Sequence, residues 1–223
     1  MLLLRRHGGY LAGRGYEVTI REQHMRFLGF ISQRACRRWQ DASPFLPAFS
    51  FYERHQSAPI DAAPQAIIHA VQTLDVLEDP LIRRLMALRQ LPERLRRRAA
   101  PVRPFGFDSF TPLHQDSHEL SLGLVGRFWR PTLALPRPED ARQFLQFADP
   151  GAAKLVLRFK VISDPAGQTR LCTETFIYCP TPQVKARLAC YWLLIRPASG
   201  WIRRRTLSAV RRKLAANASS FQP

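Results

Sequence analysis

Residues 152–179 hold two runs of alternating apolar and polar side chains, AAKLVLRFKVI and TRLCTETFIYC, joined by SDPAGQ. Period-two alternation marks half-buried strands, and Asp, Pro and Gly are the residues of a tight connection. The segment reads as an antiparallel hairpin, and a run of different period follows it at once. Val184, Leu188, Tyr191, Ile195, Ser199, Ile202, Thr206 and Val210 share one face at about 3.6 residues per turn, after Thr181 as N-cap and Pro182 at the first helical position. A long hairpin leading directly into a long amphipathic helix limits the fold more than anything else in the chain. The apolar sheet face needs a cover, and the helix supplies one. Pro197 and Gly200 predict a kink within that helix.

Upstream, FSFYERHQS (49–57) alternates Phe49, Phe51, Glu53 and His55 against Ser50, Tyr52, Arg54 and Gln56, the pattern of a strand at a sheet edge. Two short helices follow it. The first has Asp61 as cap, Pro64 in its first turn and Ile67, Ala70, Val71 and Leu74 at helical spacing. The second opens with Asp79 and Pro80 and carries Leu81, Leu85 and Leu88. From Phe105 the period returns to two. FGFDSFTPL (105–113) and HELSLGLVGRFW (118–129) read as strands around an HQDS turn, with Leu120, Leu122 and Leu124 on one face. ARQFLQFA (141–148) fits either a strand or a short helix. Residues 1–48 are rich in Gly and Arg, show no sustained period and end in the Pro-punctuated DASPFLPAF. They are set apart as an N-terminal extension, flexible or partly helical. The domain proper covers 49–216, and 217–223 forms a disordered tail. Met25 is an alternative start to Met1.

A chain of 223 residues, 46% of them hydrophobic, suits one globular core. It has no run of about twenty apolar residues. MLLLRRHGG places its apolar residues before its basic ones, the reverse of a signal peptide. The expected location is the cytoplasm, with the membrane periphery left open by the charge. Cys36, Cys172, Cys179 and Cys190 form no CxxC pair, so they read as small buried hydrophobes rather than as a zinc site or disulfide scaffold. The net charge of +17 gathers in two arginine clusters, Arg83–Arg103 and Arg196–Lys213. Such clusters attract nucleic acid, acidic lipid or acidic protein, while a merely solvated basic surface is the simpler reading. The chain lacks the paired aromatic motif of an RNA-binding sheet and a helix-turn-helix, so no specific nucleic-acid partner is expected. His114, Asp116, His118 and Glu119 gather at one turn as metal ligands could. Strand alternation separates His118 from Glu119, and polar residues are ordinary in turns, so neither a metal nor a cofactor is expected.

The order of strand, two short helices, antiparallel strands and long C-terminal helix defines an α+β chain. It resembles the helix-grip fold of the START, Bet v 1 and polyketide-cyclase superfamily, and most closely a bacterial branch of it. The carriers, over about residues 49–214, are FYERHQSAPIDAAPQAIIHAV, LIRRLMALRQLP, HELSLGLVGRFW, TRLCTETFIYC and YWLLIRPASGWIRR. The resemblance implies a curved antiparallel sheet wrapped around the C-terminal helix. It also implies an apolar cavity between the two that takes a lipid, polyketide or other hydrophobic small molecule. Some members of the superfamily are enzymes and many only bind or carry. No catalytic motif spans it, and none is carried over here.

Glu174 stands in the middle of TRLCTETFIYC. Setting Ser163 opposite Gln168 puts Leu155, Leu157, Phe159 and Val161 on one face with Cys172, Glu174, Phe176 and Tyr178. A one-residue slip would reverse this. In that register Glu174 faces the chamber, and Leu122, Trp129, Tyr191 and Trp192 complete the expected lining. A buried carboxylate needs a partner, and three readings stand. Glu174 is paired internally, with Arg170, Arg127, Tyr191 or Trp192. Or it is the polar anchor for a ligand. Or, in a cyclase- or hydrolase-like enzyme, it is the acid–base residue. The leading expectation is binding or carrying of a hydrophobic small molecule. The alternatives are such an enzyme, or docking to an anionic membrane or nucleic acid through the arginine clusters.

Overall fold

A computed structural model describes residues 28–75, 79–80, 82–84, 109–130, 137–164 and 166–219. The second half of the expected second short helix, most of the first arginine cluster and the chain before Leu28 lie outside these residues. Helix α1 spans Gln33–Arg37, strand β1 Phe51–Gln56 and helix α2 Pro64–Gln72. Strands β2 and β3 span Thr111–Gln115 and Glu119–Gly126, and helix α3 spans Ala141–Gln146. The hairpin is β4, Ala153–Ser163, and β5, Thr169–Tyr178, and the chain closes with α4, Pro182–Ser219. The class is α+β, with one antiparallel five-stranded sheet in the order β1-β5-β4-β3-β2.

Local chemistry explains the boundaries. Thr181 Oγ1 accepts from Val184 N at 3.3 Å and starts α4 as an N-cap. The helix then continues through Pro197 to Ser219. ARQFLQFA settles as helix because Asp140 caps it, accepting from Gln143 N at 2.8 Å while Gln143 Oε1 takes Glu139 N at 3.0 Å. Asp79 begins the second short helix as expected, accepting from Ile82 N. Helix α2 has Pro64 in its first turn, but its N-cap is Ala63 rather than Asp61.

The hairpin register differs from the sequence expectation by one residue. Ser163 stands opposite Thr169, not Gln168, and Arg158, not Leu157, stands opposite Glu174. The cause is the turn. Asp164 N donates to Gln168 O at 2.9 Å and Gly167 N to Asp164 O at 2.9 Å, with Gly167 at φ +74°. This is a three-residue loop closed by a left-handed glycine, where an even-numbered connection had been assumed. Asp164 holds it by accepting from Ala166 N, Gln168 N and Arg170 Nε. An odd loop moves every side chain of β5 to the opposite face relative to β4.

The sheet therefore has two covered faces with different partners. Leu120, Leu122 and Leu124 of β3, Leu157, Phe159 and Val161 of β4 and Leu171 and Ile177 of β5 face α2 and α4. There they pack with Ile67, Val71, Val184, Leu188, Trp192, Leu207 and Val210. The opposite face carries Val156, Phe176, Val125 and Leu113. It is covered by Ile31, Leu46 and Phe49 from the segment before β1 and by Phe144 of α3. Residues 28–48, set apart from the domain in the sequence reading, thus contribute with Phe49 to a second core. They also strap the edge of β1: Tyr52 N donates to Gly29 O at 2.8 Å, Phe30 bridges Phe51, and Trp192 Nε1 of α4 donates to Leu28 O at 3.0 Å.

Gly167→Ala tests the turn that sets the register. An added Cβ would meet nothing within 4 Å, so the penalty is purely conformational. We expect a loss of about 1 kcal/mol in urea unfolding with an unchanged m-value.

Candidate functional site

Glu174 points away from α4, into the second core, and its carboxylate is fully engaged. The Tyr52 hydroxyl donates to Oε1. Arg158 donates to Oε2 from Nε at 2.9 Å and from Nη2 at 2.6 Å. Arg158 is 2% exposed and Glu174 5%. The far side of the guanidinium reaches the covering segment, with Nη2 donating to Asp41 O at 2.8 Å and Nη1 to Asp41 Oδ1 at 3.3 Å. Lys160 also reaches Asp41, at 3.1 Å. Burial, and then the charge and hydrogen bond of Glu174, push the Tyr52 phenol well above its ordinary pKa, so it stays a donor. The internal partner is therefore Arg158 with Tyr52, rather than Arg170, Arg127, Tyr191 or Trp192. Arg170 instead serves the turn, donating to Asp164 Oδ2 at 2.7 Å and to Ser57 O at 3.1 Å.

The corrected register divides the residues expected to line one chamber. Leu122, Leu157, Phe159 and Trp192 are buried together between sheet and α4, with Trp129 and Tyr191 packed at the margin of that core. Phe176 and Tyr178 lie in the core on the other face. Cys172 joins them there in register, and its sulfur accepts from Arg54 Nε at 3.0 Å. Burial, with a smaller push from Glu174, raises the Cys172 thiol to about 11, and burial raises Cys179 to about 12. Both are thiols at neutral pH, the inert state of a buried cysteine.

The polar cluster at 114–119 serves its turn. Asp116 Oδ1 accepts from His118 N and Glu119 N at 2.7 Å each, and Oδ2 lies 3.0 Å from His114 Nε2. The His118 amide, then His114, hold the Asp116 carboxyl below the usual carboxylate range. Among the described residues no three His, Cys, Asp or Glu side chains converge as a metal site would need.

A different set of polar groups gathers where β1 meets α4. Glu53 and His55 alternate onto the α4 side of the edge strand. Glu53 is 8% exposed and His55 16%. His55 Nε2 stands 3.2 Å from Glu53 Oε1, close enough for a charge contact but not aligned for a hydrogen bond. Glu53 Oε2 and His55 Nε2 are buried and find no hydrogen-bond partner among the described residues. Arg196 of α4 lies 3.8 Å from Glu53 Oε1. One and two turns further along that face come Gly200 and Arg203. Arg203 Nη1 donates to Thr173 Oγ1, beside His55, at 3.1 Å. Burial lowers the Arg203 guanidinium to about 10, against the opposing pull of Glu53, so it remains a cation at neutral pH. Gly200 lets the helix press onto the strand, since a Cβ there would stand 3.2 Å from His55 Cε1 and 3.3 Å from Glu53 Oε1. A cleft of about 380 Å³ opens here, lined by Tyr52, Glu53, Arg54, His55, Gln56 and Arg196.

A second hollow of about 460 Å³ lies on the other side of the sheet, bounded by Phe45, Leu46, Leu145, Phe147, Tyr178 and neighbouring residues. Lys154 borders it, donating to Leu145 O at 3.1 Å, and burial lowers its pKa. Sequence reasoning missed Glu53, His55, Arg196 and Arg203. A usable signal was present in FSFYERHQS, where Glu53 and His55 share the face of Phe51. Polar side chains continue the core-facing side of a strand there.

Three outcomes follow. Glu174→Gln weakens the tie to a buried arginine and should lower stability by roughly 3–5 kcal/mol in urea unfolding. Joint replacement of Arg158 and Glu174 by Met and Leu should recover most of that loss. In the folded protein at mildly alkaline pH, a thiol reagent should label exposed Cys190 rapidly and reach Cys172 and Cys179 only on unfolding. No protein-family model, no curated protein and no solved structure matches the chain.

Proposed function

We propose that the protein binds a small molecule at the seam of β1 and α4, with Glu53 and His55 holding its polar group. The observation that carries this reading is the pair of buried, unpartnered atoms, Glu53 Oε2 and His55 Nε2, beside an open cleft. A buried polar atom without a partner costs about 1–3 kcal/mol. A ligand hydroxyl would remove that cost by donating to Glu53 Oε2 and accepting from His55 Nε2–H. Arg196 adds a cation at the mouth, suited to a keto or carboxyl oxygen on the same ligand. The helix-grip resemblance supports the same place, since the superfamily's ligands lie between sheet and C-terminal helix, and it favours an apolar body carrying that polar head. Glu174 is not the anchor in this reading, because both of its oxygens are taken by Tyr52 and Arg158.

A second reading uses the hollow at Leu145, Phe147 and Tyr178. Its motive is a mainly apolar lining with Leu145 half exposed at 50%. One experiment separates the two. The protein is incubated with a total lipid extract and examined by native mass spectrometry. We expect a stoichiometric adduct that is lost in Glu53→Gln and His55→Ala and kept in Ala148→Trp, which fills the second hollow. Glu53→Gln should melt close to the parent, because the lost contacts with His55 and Arg196 are offset by removal of a buried carboxylate oxygen that has no hydrogen bond. The opposite pattern of losses moves the site to the second hollow. Absence of any adduct, or a Glu53→Gln variant that is both unstable and still ligand-bound, overturns the seam as a binding site.

A further inference from the structure

The solvent face of α4 has a composition that neither core nor cleft uses. The helix runs from Pro182 to Ser219 without a single acidic residue. Several of its cations are committed internally. Arg203 bonds Thr173, Arg205 Nε reaches Asp79 Oδ2 at 2.6 Å, and Lys213 Nζ donates to Thr73 O at 2.7 Å. Arg204, Arg211 and Arg212 are exposed instead. On the same face stand two large apolar side chains, Leu193 at 48% and Leu194 at 80% exposure. Between the leucines and the arginines sits half-buried Trp201, its ring covered by the Arg205 guanidinium at 4.8 Å. At 100° per residue these positions fall within a sector of about 100°, and Leu193 to Arg212 spans about 29 Å along the axis.

We propose that this face docks the protein onto an anionic lipid surface, with α4 lying along the membrane plane. The arginines supply attraction to acidic headgroups, and Leu193 and Leu194 enter the boundary between headgroups and acyl chains. Among the described residues no helix is long and apolar enough to cross a membrane, so the contact is with the surface. The leucine pair decides between lipid and nucleic acid. A phosphate backbone uses the arginines alone and gains nothing from exposed Leu194, whereas a lipid surface uses both. The inference rests on residues other than those of the ligand cleft, since Arg196, Gly200 and Arg203 lie outside that sector.

The test is co-sedimentation with vesicles of phosphatidylcholine alone and with one third phosphatidylglycerol, across a salt series. Binding is expected only to the anionic vesicles, weakening as salt rises. Each exposed arginine near the surface is worth about five-fold in affinity, so Arg204→Gln/Arg211→Gln/Arg212→Gln should bind on the order of a hundred-fold more weakly. Leu193→Ser/Leu194→Ser should lose at least about ten-fold with only a small fall in melting temperature, because Leu194 is mostly and Leu193 about half exposed. Equal binding to both vesicle types, or an unaffected leucine variant, overturns the proposal. Short duplex DNA that binds wild type and leucine variant alike, while neither binds vesicles, replaces it with a nucleic-acid interface.

Discussion

The buried pair of Arg158 and Glu174 holds the molecule's layers together. Each ion would be expensive inside a protein alone, and one removed partner leaves the other stranded. Here the carboxylate engages both oxygens with Arg158 and Tyr52, and the guanidinium donates two further hydrogens to Asp41. Three parts of the chain meet at this point: the segment before β1, the edge strand and the central hairpin. The second core assembles around them, with Trp39 packed edge-on against Phe49 and Tyr52 and with Arg158 stacked over Phe176. Replacing the pair with hydrocarbon would keep the packing but remove the directional element that fixes how residues 28–50 lie on the sheet.

The main elements were legible because their periods are clean. The alternation in β3 to β5 and the caps at Asp79 and Thr181 each pointed to what the structure contains. The faces of the hairpin were not legible, because they depend on whether the loop holds an even or odd number of residues. SDPAGQ admits both, and Gly167 in a left-handed turn decides it. The consequence is large for Glu174, which moves from the α4 side to the other side of the sheet, and for Arg158, which becomes its partner. A polar residue on each strand, directly opposed after a shift of one, is the trace that such a pair leaves in a sequence. Residues 28–50 were opaque for another reason. Their apolar residues follow neither period, because they pack as an irregular strap whose contacts are all long-range.

The arginine count alone does not describe what the charges do. Arg158 is structural, Arg170 closes a turn, Arg203 and Arg196 stand at the cleft, and Arg205 pins α4 to Asp79. These roles share a physical basis in the forked guanidinium, which satisfies several acceptors at once and keeps its charge even when partly desolvated. Counting net charge treats them as one field, whereas the structure separates these internal fasteners from the arginines exposed to solvent.

The placement of β1 bears on how the chain comes to be folded at all. Tyr52 and Glu174 are 122 positions apart, and β1 pairs only with β5 in the sheet. During synthesis the edge strand has to wait for nearly the whole domain before it finds its neighbour, and the covering segment waits with it. Contacts of such high sequence separation are slow to form, because loop closure comes before any reward. Over that interval only α2 and α3 are on hand to cover the two faces of the β2–β4 sheet. Assembly is therefore expected to be a late, cooperative event, in which the last strand made recruits the first part of the chain and α4 then seals the other side.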